Sequence, residues 1–261
     1  MGRSRTEARA RSREASVRPR RDADAESRET RGRSGASNAI REWAKTIGGA
    51  IVLFLIIKTF LIQTFTITSG SMRNTLLVGD FLVVSKAAYG ARVPLTDLRL
   101  PGYESLDRGE IVVFEGPHQP ELDLVKRLVG LPGDTIAMRD GTLFLNGEPY
   151  DEPYVHAAEV DVDPAHPWMV WQTDHLMPGS VARDYEPTLD TWGPIVVPDD
   201  QYFMLGDNRD ESFDSRYWGF VDRGLIKGRA LFIYYSYDSE AFAPFPWITR
   251  VRWGRIGHTL E

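Results

Sequence analysis

Thr68-Ser69-Gly70-Ser71-Met72 lies where the sequence changes from one long apolar run to a series of short, strand-like segments. Two serines flank a glycine at this point. A serine hydroxyl is a weak nucleophile until a neighbouring base takes its proton. We predict that Ser71 is such a nucleophile, so the rest of the chain must supply the base and a donor for the developing negative charge.

The apolar run before this stretch is long enough to cross a membrane. It covers 25 residues from Trp43 to Ile67, with Lys58 as the only charge after Lys45, and a helix of ~20 residues spans a ~30 Å hydrocarbon core. A buried globular helix and the apolar part of a cleavable signal peptide are the alternatives. The leader would be unusually long for a signal peptide, and no small-x-small site follows cleanly. We predict an uncleaved transmembrane signal anchor over residues 42–66.

The segment before the anchor is strongly basic. Residues 1–41 contain twelve Arg and six Asp or Glu, about +6, whereas the whole chain is −6, which leaves −12 for the remainder. This segment also contains few aliphatic residues, which predicts a disordered cytoplasmic tail. A nucleic-acid arm is the alternative, but interspersed acidic residues dilute its charge, and we expect no nucleic-acid partner. Arg33 and Arg41 put this side of the anchor in the cytoplasm, and everything from about residue 66 outside.

Beyond the anchor the sequence predicts a mainly β fold. Short strands with glycine and proline turns are typical of a barrel or coiled sheet rather than of βαβ units. Arg139-Asp140-Gly141 is predicted to be the turn of a hairpin. The predicted strands are residues 80–85, 110–114, 123–129, 135–138, 142–145, 201–205 and 229–235.

Residues 146–200 differ from the segments on either side. They contain eight prolines and three tryptophans, and we interpret them as an inserted subdomain. The predicted catalytic β core is therefore formed by residues 67–145 and 201–261.

The composition excludes several kinds of chemistry. The chain has no cysteine, so disulfides, thiolate nucleophiles and Cys-ligated metals are impossible. Its five histidines are scattered and show no metal-binding spacing. We expect no metal and no cofactor, and a Ser-His-Asp system has no support.

Lysine is the remaining common base for a serine nucleophile. Lys126 lies inside an apolar segment, and strand alternation puts it on the same face as Leu124 and Leu128. Burial lowers the pKa of a lysine, so its neutral amine can accept the proton of Ser71. The alternative is an ordinary paired or edge-strand lysine, since the adjacent Arg127 shows that charge is tolerated here.

A polar run from Gly206 to Gly219 contains further candidates. One interpretation is a solvated acidic turn. The other is a buried network in which Asp214 and Arg216 form an ion pair and Ser212 bonds to a catalytic group. Composition alone favours neither.

Together these stretches resemble the boxes of the type I signal peptidase family. Thr68 to Met72 is similar to its nucleophile box, residues 126–134 to its lysine box, and residues 206–216 to its last box. The strands beginning at Gly79 and Arg108 match the two boxes between. All five occur in the family's order.

The resemblance implies a coiled β-sheet protease with a Ser-Lys pair. It assigns Ser71 as the nucleophile and Lys126 as the general base. It also assigns Ser69 to the oxyanion, beside the backbone N–H of Ser71.

The resemblance assigns supporting roles to five further positions. Ser212 is expected to contact the lysine amine, Asp214 to support the site, and Arg216 to complete the ion pair. Phe65 and Ile67 match positions that line a shallow groove selecting small residues at −1 and −3. Thr68 and Leu124 depart from the residues common in the family, which leaves pocket detail open.

The implied activity is removal of signal peptides from exported pre-proteins at the outer face of the bacterial cytoplasmic membrane. The implied partners are pre-proteins, the lipid bilayer and the secretion translocon. A self-cleaving repressor would need a helix-turn-helix domain, and a sortase would need a cysteine. An inactive homologue that binds exported peptides is the alternative from another class.

Overall fold

The computed structural model of the protein describes residues 41–93, 96, 98–155, 165–179 and 185–260. Of the predicted basic tail, only Arg41 is among these, so the prediction for residues 1–40 lies outside the described residues. Parts of the predicted insertion, 156–164 and 180–184, do so too.

The chain begins its described part with helix α1, Arg41–Leu61. It is the one helix within the described ranges that is long and apolar enough to cross a membrane. Its last turn, Ile57–Leu61, is π-helical. The helix stops short of the predicted anchor boundary at residue 66, because Ile62–Thr66 pairs with β2 as a strand whose residues alternate between exposed and half-buried.

Two antiparallel sheets follow the helix. The larger has seven strands in the order β1-β2-β11-β3-β4-β9-β10, and the smaller has four in the order β7-β6-β5-β8. The strands are β1 Ile62–Thr66, β2 Asp80–Ser85, β3 Ile111–Gly116, β4 Gln119–Gly130, β5 Thr135–Arg139, β6 Thr142–Leu145, β7 Glu148–Pro149, β8 Trp192–Val196, β9 Gln201–Leu205, β10 Val221–Asp222 and β11 Ile226–Ser236. The mainly β fold class is confirmed.

Short helical segments connect the strands. They are the α-helices α2, Ser215–Trp218, and α3, Pro246–Thr249, with 3₁₀ segments at Pro167–His175, Arg223–Leu225 and Trp253–Arg255.

The smaller sheet begins earlier than the predicted insertion. β5 and β6 form the predicted hairpin, with Asp140 and Gly141 both at positive φ in its turn. They pair with β7 and β8 rather than with the larger sheet. The predicted boundary at residue 146 therefore does not coincide with a boundary between the sheets.

The buried apolar residues form three clusters: two belong mainly to the larger sheet, and the third joins the smaller sheet to the ends of β4 and β9. Gly130 lies at the point where β4 passes close to the smaller sheet. A Cβ at this position would lie 2.8 Å from Phe203 Cβ. The close approach therefore requires glycine, and it brings the far end of β4 against β9.

Candidate active site

Ser71 and Lys126 meet in a buried site beside the larger sheet. Lys126 lies on β4, and Ser71 begins the turn that follows β1. Met72 is 1% exposed and fixes this turn in the core, with its carbonyl accepting from the Leu76 N–H. The Ser71 Oγ and the Lys126 Nζ are 2.6 Å apart, a hydrogen-bond distance suited to proton transfer.

Burial lowers the pKa of Lys126 to about 8, because the charged ammonium loses its hydration. Arg216 lowers the pKa further, whereas Asp214 and Asp207 oppose the shift. At neutral pH about one-tenth of the amines are then neutral. The lysine can therefore act as a base under ordinary conditions.

Donors for a developing oxyanion lie next to the nucleophile. The Ser69 Oγ is 3.4 Å from the Ser71 Oγ. Among the described residues, no acceptor takes a hydrogen bond from the backbone N–H of Ser71. The Ser71 amide is thus available to an incoming carbonyl oxygen.

Asp214 and Arg216 form a fully buried ion pair behind the site. Arg216 donates from Nε to Asp214 Oδ1 at 2.8 Å and from a terminal nitrogen to Oδ2 at 2.9 Å. Burial alone would raise the pKa of Asp214, but Arg216 and the Gly206 N–H hold it below its ordinary value. Removing either charge would leave the other buried and unpaired, which costs about 3–5 kcal/mol.

Ser212 is buried beside this pair, and its Oγ has no hydrogen-bond partner among the described residues. The expected contact between Ser212 and the Lys126 amine is therefore not formed. The Ser212 hydroxyl packs instead over Gly206, where a Cβ would also lie 2.5 Å from the Ser71 carbonyl oxygen. Glycine at position 206 thus lets the last box approach the nucleophile.

A cavity of about 260 Å³ opens beside Ser71 and Lys126. Leu122 and Leu124 form one apolar wall, and Phe213 and Trp218 another. Its lining residues are Ser69, Ser71, Gly116, Pro117, His118, Gln119, Leu122, Leu124, Lys126, Glu211, Phe213 and Trp218.

Phe65 and Ile67 do not line this cavity. Ile67 is 6% exposed within the core of the larger sheet, and Phe65 packs against the same cluster. Phe65 belongs to the edge strand of the sheet, because β1 pairs only with β2, and Ile67 follows that strand.

A profile of the family described as "Signal peptidase, peptidase S26" matches residues 40–235. The chain belongs to the signal peptidase family. The match covers α1, both sheets and all three boxes that carry the site. Membership makes the chain a serine endopeptidase of a bacterial, membrane-associated family, and the resemblance in its sequence is confirmed.

Individual signal peptidases are similar to this chain over most of their length. Signal peptidase I of Pseudomonas aeruginosa is 34% identical over 223 residues, covering 80% of this chain and 78% of the relative. A probable signal peptidase I-2 of Synechocystis sp. is 36% identical over 202 residues, covering 76% and 74%. A crystal structure of a signal peptidase I from Enterococcus faecalis matches with a TM-score of 0.33 at 32% identity, covering 48% of this chain and 97% of that one.

In this member of the signal peptidase family, three site residues were missed by the sequence analysis. Asn208 donates from its backbone N–H to the Ser71 carbonyl at 3.1 Å and from its amide to the Gly70 carbonyl at 3.0 Å. Arg127 makes a bidentate pair with Asp207 at 2.9 and 2.7 Å. Together they fix the last box against the nucleophile turn and against β4. The available signal was the charge of Arg127 inside the apolar β4 and the position of Asp207 and Asn208 in the polar run directly after β9.

The segment after β7 reinforces this support. Tyr154 lies 3.7 Å beneath the Arg127 guanidinium, and Glu152 forms a buried ion pair with Arg209. Trp171 donates from its indole nitrogen to the Arg216 carbonyl at 2.9 Å. The predicted insertion therefore packs against the last box of this signal peptidase family member.

Proposed function

We propose that the protein is a membrane-anchored signal peptidase in which Ser71 is the nucleophile and Lys126 the general base. The observation that carries this proposal is the 2.6 Å separation between the Ser71 Oγ and the Lys126 Nζ in a buried site. The lowered pKa of the amine supports it, because a neutral amine can accept the serine proton.

The reaction proceeds through an acyl-enzyme. The neutral Lys126 amine takes the Ser71 proton while Oγ bonds to the carbonyl carbon of the −1 residue. The resulting ammonium donates this proton to the nitrogen of the +1 residue, and the C–N bond breaks. Water then attacks the ester, Lys126 takes one of its protons, and Ser71 leaves with that proton as the signal peptide is released.

We assign the oxyanion to the Ser71 N–H and the Ser69 hydroxyl. A donor aimed at this charge is worth up to about 2.7–4 kcal/mol. Because the Ser69 Oγ lies at a long 3.4 Å from the Ser71 Oγ in the free enzyme, a Ser69→Ala variant should lose about 10- to 100-fold in kcat. KM should change little, as measured on a peptide substrate. An unchanged kcat would remove Ser69 from the oxyanion site.

The substrate is a signal-peptide-bearing pre-protein, bound in an extended form along β4. Over Gln119–Lys126, β4 pairs with β3 on one side, and β9 joins only from Arg127 onward. The other edge therefore pairs with no strand in the described part of the chain and is open to an added peptide strand. Phe65 and Ile67 stay predicted contacts from the β1 side, whose outer edge is also unpaired.

From the family resemblance we infer that the site selects small residues at −1 and −3. The test uses two pre-proteins that differ only at −1, with alanine in one and tryptophan in the other. The full chain in detergent should cut the alanine pre-protein once, directly after the −1 residue, as read by mass spectrometry. The tryptophan form should be left intact. Binding without cleavage of the alanine form would contradict the proposed function.

The same proposal sets the topology: α1 crosses the cytoplasmic membrane once, with the basic tail in the cytoplasm and the sheets outside. The bilayer and the secretion translocon are then its natural partners. A protease added outside spheroplasts should digest residues after Leu61 and spare an epitope at the N-terminus. The opposite pattern would reverse the topology.

A further inference from the structure

A second cleft, of about 200 Å³, lies apart from the Ser71–Lys126 site. Four cationic side chains line it, against one carboxylate, that of Glu115. The lining residues are Gln63, Lys86, Gly90, Arg92, Arg99, Glu115, Gly224, Leu225 and Lys227. Nothing in the catalytic chemistry uses this cleft.

The charges of the cleft are poorly balanced. The Lys86 ammonium has no hydrogen bond and no carboxylate partner among the described residues. Arg99 donates to the backbone carbonyls of Arg223, Gly224 and Ile226, and no described carboxylate pairs with it. Lys227 lies 2.6 Å from Asp123 and 3.3 Å from Glu115, and Arg92 reaches Glu115 at a longer 3.9 Å.

Each cation of the cleft also disfavours the charged form of its neighbours. Burial lowers the pKa of Lys86, and the Lys227 charge lowers it further. Burial, Arg223 and Arg92 together lower the pKa of Arg99, and Glu115 opposes this shift only in part. A bound anion would relieve this repulsion, because it favours the charged form of each neighbour.

The cleft lies where the chain leaves its apolar helix. The backbone N–H of Lys86 donates to the carbonyl of Leu61, the last residue of α1, at 2.9 Å. Gln63, two residues further along β1, lines the cleft itself. If α1 spans the bilayer, residues bonded to its end lie at the level of the lipid headgroups.

From this juxtaposition we propose that the cleft binds the phosphate group of an anionic phospholipid at the outer surface of the cytoplasmic membrane. Arginine forks bind two phosphate oxygens at once, and lysine adds a point charge. Basic side chains at an anionic lipid surface contribute about 1 kcal/mol each, which is about fivefold in affinity. The proposal rests on the membrane span proposed for α1 and not on the chemistry of Ser71.

The test measures lipid retention by the full chain in detergent micelles, using native mass spectrometry. Phosphatidylglycerol and phosphatidylcholine are titrated separately. The unchanged protein should retain phosphatidylglycerol in preference to phosphatidylcholine. Lys86→Gln should weaken this retention about fivefold, and Lys86→Gln with Arg92→Gln about 25-fold. Lys86→Arg should restore it.

A matched control removes one charge elsewhere. Arg139 is exposed on β5 of the smaller sheet, so Arg139→Gln should retain phosphatidylglycerol like the unchanged protein. The site would be overturned if the Lys86→Gln variant retained as much phosphatidylglycerol as the unchanged protein. It would also be overturned if Arg139→Gln lost as much retention as Lys86→Gln.

Two further measurements are needed. One distinguishes a lipid phosphate from free inorganic phosphate, and the other distinguishes failure of the lipid site from failure of the catalytic proposal. Inorganic phosphate that binds while phosphatidylglycerol is not retained would overturn the lipid assignment. Lipid retention does not require cleavage, so the measurement is repeated on a Ser71→Ala background. A protein that fails to cut pre-proteins but shows the Lys86-dependent retention would contradict only the catalytic proposal.

Discussion

Replacing Ser71 by alanine is expected to abolish cleavage of a pre-protein, with kcat lower by on the order of 10⁵- to 10⁶-fold. The substitution removes the oxygen that lies 2.6 Å from the Lys126 amine and that we propose as the nucleophile beside the cavity. Rates are measured on a peptide in detergent, with products identified by mass spectrometry. The fold should survive, since Asn208 holds the Ser71 backbone carbonyl rather than its side chain.

Two comparisons make this result specific. Ser105→Ala removes a hydroxyl from an exposed loop outside the cavity and should cleave like the unchanged protein. Ser71→Cys introduces the only thiol in the chain, so alkylation of that thiol reports its reactivity directly. Cleavage retained by Ser71→Ala, with a normal unfolding transition, would sink the assignment of the nucleophile.

Replacing Lys126 by methionine is expected to cause a loss similar to that of Ser71→Ala, because nucleophile and base act as a unit. In the unchanged protein, kcat/KM should rise with pH through about 8 and then level off, as the amine loses its proton. The methionine variant should show no such rise. The double variant should be no worse than either single one.

Lys126→Arg separates a base from a charge. Arginine keeps a cation at this position but cannot lose its proton in a protein, so we expect this variant to be inactive at every pH. Activity in Lys126→Arg would show that only positive charge is needed. A pH profile that is unchanged by Lys126→Met would assign the titration to another group.

The Lys126→Met variant should lose activity without losing stability. The folded pKa of Lys126, about 8, lies below the ordinary lysine pKa of 10.5, so the unfolded chain binds more protons between these values. The resulting destabilisation is fully present below about pH 8 and fades as pH rises toward 10.5. Methionine lacks this cost, and its variant should unfold at an equal or higher temperature at neutral pH.

Much of the fold could be predicted from local patterns. Short β-rich runs bounded by glycine and proline turns marked β2, β9 and the β5–β6 hairpin. β1 was missed, because Ile62–Thr66 directly continues the apolar run of α1, and its strand geometry depends on pairing with β2. β8 was also missed, because it lies within the proline-rich segment that was interpreted as an insertion.

The site was predicted unevenly. Ser71 and Lys126 were predicted as partners, and their contact in the structure agrees with that hypothesis. Ser212 was expected on the lysine amine, yet its hydroxyl packs over Gly206. Hydroxyl orientation follows from the path of the whole loop, which the residue type does not encode.

By itself, the sequence determined the apolar helix, the mainly β class and the absence of thiol chemistry, and its motif order led to the prediction that a serine pairs with a lysine. These features follow from composition, periodicity and motif order, which are local properties. Only the tertiary structure decided how deeply Lys126 is buried, that Asn208 and the Arg127–Asp207 pair hold the nucleophile turn, and that four cations share a cleft beside Leu61. Each depends on the register between strands distant in sequence, because that register sets which side chains lose water and which find a partner.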